Sequence, residues 1–298
     1  MTKLTEQDAE DHFLGQFIPL QYHHNMLMDR NRMVNFKSAI DCVVTPGSKV
    51  LELGGGTGVL SWFAAEKADQ VWCVEYNPEL VKESRRLLSM NSNGHKVEVV
   101  HADAFEYLPP EPVDVVICEM IHAAMLREKQ VEVLASFKRR YQAHFGMQLP
   151  IFVPTASLMA VQPLQQHYEF EGYLAPIIQI QEPTERTHGS IEMAAPALYS
   201  TIDFTQTNEL DIIWKGQFTI EKTGTVNALR FITKNILAIL LDQSSTIDWL
   251  NRHLALPLGK PLNVKCGDTL QISFRYRAGG SITSLQNSIQ AEVIAPLI

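Results

Sequence analysis

VLELGGGTGVLSWFAA, residues 50–65, decides the fold. Its apolar opening has the length of a buried strand, and from Val59 onward the apolar residues recur at helical spacing. Between the two lie Gly54, Gly55, Gly56, Thr57 and Gly58, a loop that must carry strand into helix. Glycines there allow a tight turn and let a ligand approach the backbone closely. Their spacing is G-x-G-x-G, with an acid, Glu52, two residues ahead. A dinucleotide fingerprint needs a glycine at position 59, which is Val59 here.

Outward from this loop the first half alternates helix-like and strand-like segments. Residues 25–43 carry Met26, Leu27, Met33, Val34, Ala39 and Ile40 at helical spacing, and Thr45-Pro46-Gly47-Ser48 ends that helix. Strands are expected at 49–53, 70–75, 96–101 and 113–118, and helices at 59–68 and 77–90. Asn77 is placed to cap the second helix, with Pro78 in its first turn. Strand and helix in alternation imply a parallel sheet covered on both faces.

Past Pro150, Pro154 and Pro163 the pattern becomes β-rich, with runs at 157–162, 217–222, 226–233, 269–277 and 286–294. Lys222-Thr223-Gly224-Thr225 and Cys266-Gly267-Asp268 read as hairpin turns, so an antiparallel barrel or sandwich is expected. Residues 165–197 are irregular and read as an inserted arm. The chain thus divides into an N-terminal helical segment (1–44), an α/β Rossmann-like domain (45–152) and a β-barrel-like domain (153–298) bearing the arm.

Composition narrows the function. With 298 residues, 46% hydrophobic and 19% charged, the chain can build a sizeable core. A net charge of −8 argues against a nucleic-acid partner and is compatible with a cationic substrate. The longest apolar run, 236–241, is far too short to span a membrane, and MTKLTEQDAEDHF at the N-terminus is no signal peptide. Cys42, Cys73, Cys118 and Cys266 lie far apart and fit no metal spacing, so no metal is expected. They read as reduced thiols of a cytoplasmic protein.

E-x-G-x-G-x-G, from Glu52 to Gly58, is the pattern of methyltransferases that use S-adenosylmethionine. Glu75 closes the second strand, where a carboxylate accepts hydrogen bonds from both ribose hydroxyls. Asp103, after the third strand, stands where an acid accepts from the adenine amine, and Ala104 offers backbone contacts.

Glu119 follows the fourth strand, and Glu128 comes nine residues later. Two carboxylates suit a guanidinium, a planar cation that stays protonated and presents a rigid fork of donors. Holding the charge on the nitrogens they touch leaves the remaining terminal nitrogen more nucleophilic. By spacing alone, a strand-end acid and a solvated helix acid fit equally well.

The chain resembles the protein arginine methyltransferase family over nearly its whole length, as a divergent member of bacterial type. The family's two acids align with Glu119 and Glu128. Its H-E-E-M-L-x-D-x-x-R segment aligns with His23-His24-Asn25-Met26-Leu27-Met28-Asp29-Arg30-Asn31-Arg32. The resemblance implies that Arg32 pairs with the cofactor carboxylate, that His23 lines the cofactor site and that Met26 packs near the reacting methyl. It also implies a homodimer built through the arm. Three motifs depart from the family. The Tyr-Phe-x-x-Tyr motif becomes Phe13-Leu14-Gly15-Gln16-Phe17, which leaves Phe17 at the substrate site without a hydroxyl. Met120-Ile121-His122 replaces Trp-Met-Gly. The barrel's Thr-His-Trp loop is replaced by Trp249-Leu250-Asn251-Arg252-His253. His253 either takes the family histidine's place opposite Asp29 or is an ordinary barrel-edge histidine. The implied acceptor is a protein or a small guanidino compound. A small-molecule methyltransferase with another nucleophile is the main alternative, and a non-catalytic interaction module is a third reading.

Overall fold

The computed structural model describes residues 18, 20–146, 148–183 and 189–294. Phe17 lies outside them. Five parallel strands form the first sheet: β1 (Lys49–Leu53), β2 (Gln70–Glu75), β3 (Val97–His101), β4 (Val115–Cys118) and β5 (Ile151–Val153), in the order β3-β2-β1-β4-β5. β1 is central because every position from Val50 to Leu53 is buried. Its alternation sends Val50 toward a cluster with Phe36, Ile40, Leu60 and Ala64, and Leu51 and Leu53 toward one with Leu134 and Phe137.

The helices are α1 (Leu20–Met28), α2 (Arg30–Val43), α3 (Val59–Ala65), α4 (Pro78–Ser89), α5 (Gln130–Phe145) and α6 (Ile282–Ser288). The helix expected over 25–43 is two helices. Asp29 breaks it by capping α2, its side chain accepting from the Arg32 backbone N–H at 2.9 Å. Asn77 caps α4 as expected, accepting from the Glu79 N–H at 2.9 Å.

The second half contains β6 (Ala156–Gln166), β7 (Glu169–Phe170), β8 (Tyr173–Leu174), β9 (Gln179–Gln181), β10 (Ser190–Glu192), β11 (Ala197–Asp203), β12 (Asp211–Thr219), β13 (Gly224–Leu240), β14 (Ser245–Leu250), β15 (His253–Val264), β16 (Thr269–Arg277) and β17 (Gln290–Ile294). One sheet runs β10-β6-β13-β15-β9, with β11 on β6 and β14 on β13, and a second runs β12-β16-β17. The two expected hairpin turns are corners instead. β12 pairs with β16 and β13 with β15, β6 and β14, so the chain changes sheets at 222–225 and again at 266–268. The strand expected over 286–294 begins as α6, because Ser281 caps a helix there by accepting from Ser284 N–H at 3.0 Å.

The described part of the arm contains regular strands. β7 and β8 pair as a small hairpin, while β9 and β10 return to pair with β15 and β6. Leu237, Ala238 and Trp249 of the barrel enter the core beneath α2, where Trp249 and Phe36 lie 5.8 Å apart between ring centroids. This contact joins barrel and Rossmann-like domain at the edge that carries the glycine loop. Among the described residues no helix is long and apolar enough to cross a membrane, and no group of three potential metal ligands occurs.

Candidate active site

The glycine loop is built around two carboxylates. Glu52 is buried, and its Oε2 accepts from Ser61 N–H at 2.8 Å and from the Ser61 hydroxyl, tying β1 to the start of α3. Burial pushes its carboxyl up to about 7 against those hydrogen bonds. Glu75 accepts from Gly56 N–H at 2.9 Å and from Asn77 N–H at 2.8 Å. An ionised carboxylate has further lone pairs, so it can still accept from vicinal hydroxyls. Gly56 has φ +54°, and a Cβ there would sit 2.8 Å from His23 Cε1. Gly54 has φ +79°, and its Cβ would meet Met120 at 2.9 Å. Thr57 is buried within the same loop, Gly58 caps α3 in the left-handed conformation, and Gly55 packs against Cys73. Asp103 accepts from Phe105 N–H at 2.8 Å, which shapes the turn containing Ala104.

His23 and Arg32 reach this loop from α1 and α2. Both are buried, and His23 Nε2 and Arg32 Nε have no partner among the described residues. Unpaired buried donors and acceptors are costly, so these atoms mark a place that a polar ligand fills. Met26 follows His23 by three residues, on the same helical face, and is half-buried. A strand-end carboxylate at Glu75, a glycine backbone cradle and a buried arginine together fit an adenosyl amino-acid cofactor.

The paired acids lie beside it. Glu119 leaves the end of β4, and its carboxylate accepts from Arg32 Nη2 in a buried ion pair. Arg32 also lies against Phe36 at 5.5 Å and Trp249 at 6.0 Å. The arginine assigned to the cofactor carboxylate therefore touches the acceptor acid as well. Burial, reinforced by the charge of Glu119, pushes the Glu128 carboxyl up to about 8, while Arg32 and Arg127 oppose that shift.

The segment between the acids is a loop with a short 3-10 turn at Ala123–Met125. Ala124, Met125 and Arg127 take φ of 57°, 54° and 62°, a region that costs residues with a side chain about 1–2 kcal/mol each. The barrel and α5 hold the loop in that shape. Ala124 N–H donates to Thr233 Oγ1 at 2.8 Å and Asn251 Nδ2 to Ile121 O at 3.1 Å. Gly279 N–H donates to Met125 O at 2.7 Å, and Arg127 N–H to Gly280 O at 2.8 Å. Gln130 Oε1 accepts from Met120 N–H at 2.8 Å. Sequence reasoning missed Thr233 and Gln130, which carry no motif, and the role of Asn251 within the Trp249–His253 stretch. It also missed Tyr22, one residue before His23. Its phenol is raised by burial and feels Glu128, Arg252, Glu119 and Arg127 at once. His122 in the loop is pushed down to about 4 by burial.

His253 does not meet Asp29 among the described contacts. It pairs in register with Gln181 of the arm, and burial with nearby Arg230 pushes it down to about 4. Arg230 donates to Gln181 at 2.9 Å, Gln162 at 3.2 Å and Glu192 at 3.0 Å, so this polar cluster fastens the arm to the barrel. Asp29 is the α2 cap. The barrel-edge reading of His253 fits this placement.

Comparison with known proteins adds to this geometry. A family profile described as a methyltransferase domain matches residues 50–143. An uncharacterized protein of Methanocaldococcus jannaschii is 27% identical over 89% of this chain and 95% of its own length. Protein arginine N-methyltransferase PRMT10 of Arabidopsis thaliana is 31% identical over 52% of this chain and 42% of its own. Such matches span 35–50% of the arginine methyltransferases concerned. Among solved structures, the Trypanosoma brucei PRMT1 enzyme-prozyme heterotetrameric complex with AdoHcy superposes with a TM-score of 0.71 at 16% identity, covering 93% of this chain and 99% of that one.

Proposed function

We propose that this chain, a member of the protein arginine methyltransferase-like family and an S-adenosylmethionine-dependent methyltransferase, methylates a guanidino nitrogen of an arginine or arginine-like acceptor held between Glu119 and Glu128. The observation that carries the reading is the convergence of both acids beside the glycine loop, where Glu119 already accepts a guanidinium from Arg32.

S-adenosylmethionine supplies an electrophilic methyl on a sulfonium. Glu75 would hold the ribose hydroxyls, Asp103 and the backbone at Ala104 would hold the adenine, and Arg32 would hold the carboxylate. His23, Met26 and Gly54 to Gly58 wall the site. Glu119 and Glu128 fix the acceptor's positive charge on the nitrogens they touch and leave the third nitrogen richer in electron density. That nitrogen would bond the methyl as the sulfonium's sulfur–methyl bond breaks, leaving a neutral thioether, and would lose one proton. In its carboxylate form, which the free protein reaches near pH 8, Glu128 would receive that proton. The chain acts as a cytoplasmic homodimer. The arm's exposed Phe170, Tyr173, Leu174 and Ile177 form the apolar ridge that a second copy covers.

Incubation with methyl-labelled cofactor and arginine, arginine-containing peptides or cell extract tests the reading. Label in acid-stable methylarginine is expected. Label confined to a metabolite of another class would replace it with the small-molecule alternative. Absence of cofactor binding would revive the interaction-module reading.

A further inference from the structure

The cations around the acid pair are almost all matched. Arg32 pairs with Glu119, and Arg252 Nε lies 2.6 Å from Glu182. Lys129 lies 3.9 Å from Glu132, and Arg277 3.5 Å from both Glu132 and Asp211. Arg127 differs. Its side chain is exposed and has no hydrogen-bond or ion-pair partner among the described residues.

Its backbone, in contrast, is held firmly. It sits in the left-handed region at φ 62°, its N–H bonded to Gly280 O at 2.8 Å. The next N–H, of Glu128, closes a turn onto Leu126 O at 2.6 Å. Glycine would adopt this conformation without strain, and the chain places a long cation there. Arg252 is tied to the same loop from the barrel. Its N–H donates to Asn251 Oδ1 at 2.7 Å, and Asn251 is bonded to Ile121 of the acid loop. The charges of Arg127, Arg252, Glu119 and Glu128 all act on the Tyr22 hydroxyl, so two cations and two acids lie within electrostatic range of one residue.

An acceptor with only positive charge would bring its guanidinium past an unmatched arginine. An acceptor carrying its own carboxylate would pair that group with Arg127 while its guanidinium meets the acids. We propose that Arg127 recognises a carboxylate on the acceptor, so that the preferred acceptor is a guanidino acid and not a purely cationic guanidine. This rests on the acid pair being a guanidinium clamp. Two sources share the chemistry: the α-carboxylate of a small acceptor such as arginine, and an acidic residue beside an arginine in a peptide.

The test measures methyl transfer by the full chain to two matched pairs. One is arginine against argininamide, and the other is an Asp-Arg-Gly peptide against Ala-Arg-Gly, both blocked at their ends. The carboxylate-bearing member of at least one pair is expected to have a kcat/KM about tenfold higher, mainly through KM. The pair that shows the preference identifies the source. In Arg127→Ala the ratio within that pair falls to near one, and Arg127→Lys restores part of it. Equal kcat/KM within both pairs overturns the proposal and leaves the clamp standing. A preference that persists in Arg127→Ala removes Arg127 from the role. Failure of all four compounds to accept methyl overturns the clamp and this inference together.

Discussion

Glu128→Gln is expected to stabilise the protein while abolishing its chemistry, and the stabilisation depends on pH. The Glu128 carboxyl titrates at about 8 in the folded chain against an ordinary value of 4.5. Below pH 4.5 both folded and unfolded chains hold the proton, and the group contributes nothing. Between 4.5 and about 8 the unfolded chain releases the proton and the folded chain keeps it, so stability falls as pH rises. Above 8 the full cost of a buried charge is present. At about 1.4 kcal/mol per pH unit, that interval gives about 5 kcal/mol as an upper figure, and the partial exposure of Glu128 lowers it to about 2–5 kcal/mol. Glutamine matches the shape of the protonated acid and never ionises. Wild type and variant should therefore melt together near pH 4 and separate at pH 9.5, the variant higher by about 4–10 °C at about 2 °C per kcal/mol for a chain of this size. Scanning calorimetry without cofactor measures the difference. Methyl transfer by the same variant should fall by about 100-fold or more, with cofactor affinity retained. Wild-type kcat/KM should rise as pH climbs toward 8, where the free protein's Glu128 becomes a carboxylate. A melting difference that is the same at both pH values, or a variant that is less stable at pH 9.5, would refute the reasoning.

Three further outcomes are expected. Thr233→Val leaves the buried Ala124 N–H without its acceptor, at a cost of about 1–3 kcal/mol. Turnover should drop about tenfold with cofactor affinity unchanged in calorimetry, and unchanged turnover would mean the loop holds its shape without the barrel. Gly56→Ala drives a Cβ to within 2.8 Å of His23 at a left-handed position, so cofactor affinity should fall about tenfold or more in the same measurement. Replacing Tyr173 and Leu174 together by Asp should halve the mass seen by light scattering, and an unchanged dimer mass would move the interface off the arm.

The Rossmann-like half was legible because its instructions are local. Residues 49–53 and 70–75 are contiguous apolar runs, the glycine loop lies between strand and helix, and Asn77-Pro78 announces a helix start. The barrel was less so. The turns at 222–225 and 266–268 are written in the same residues as hairpin turns, yet the partners of β12 and β16 are chosen by sheets that form far along the chain. The site divides in the same way. Glu52, Glu75 and Glu119 stand at strand ends that periodicity locates. Thr233 and Asn251 are ordinary polar residues that gain a role from Ala124 and Ile121, more than a hundred positions away. The double use of Arg32 was equally hidden, since its pairing with Glu119 bridges 87 positions.

The anchoring of the acid loop also bears on how the chain matures. Glu75, Asp103 and the glycine loop lie wholly within the first half, whereas the shape between Glu119 and Glu128 depends on Thr233, Asn251, Gly279 and Gly280. A chain cut before the barrel would keep Glu75, Asp103 and the glycine loop but none of the four residues that hold the acid loop. The shape of the acid loop is thus completed last, by segments that follow it by more than a hundred residues.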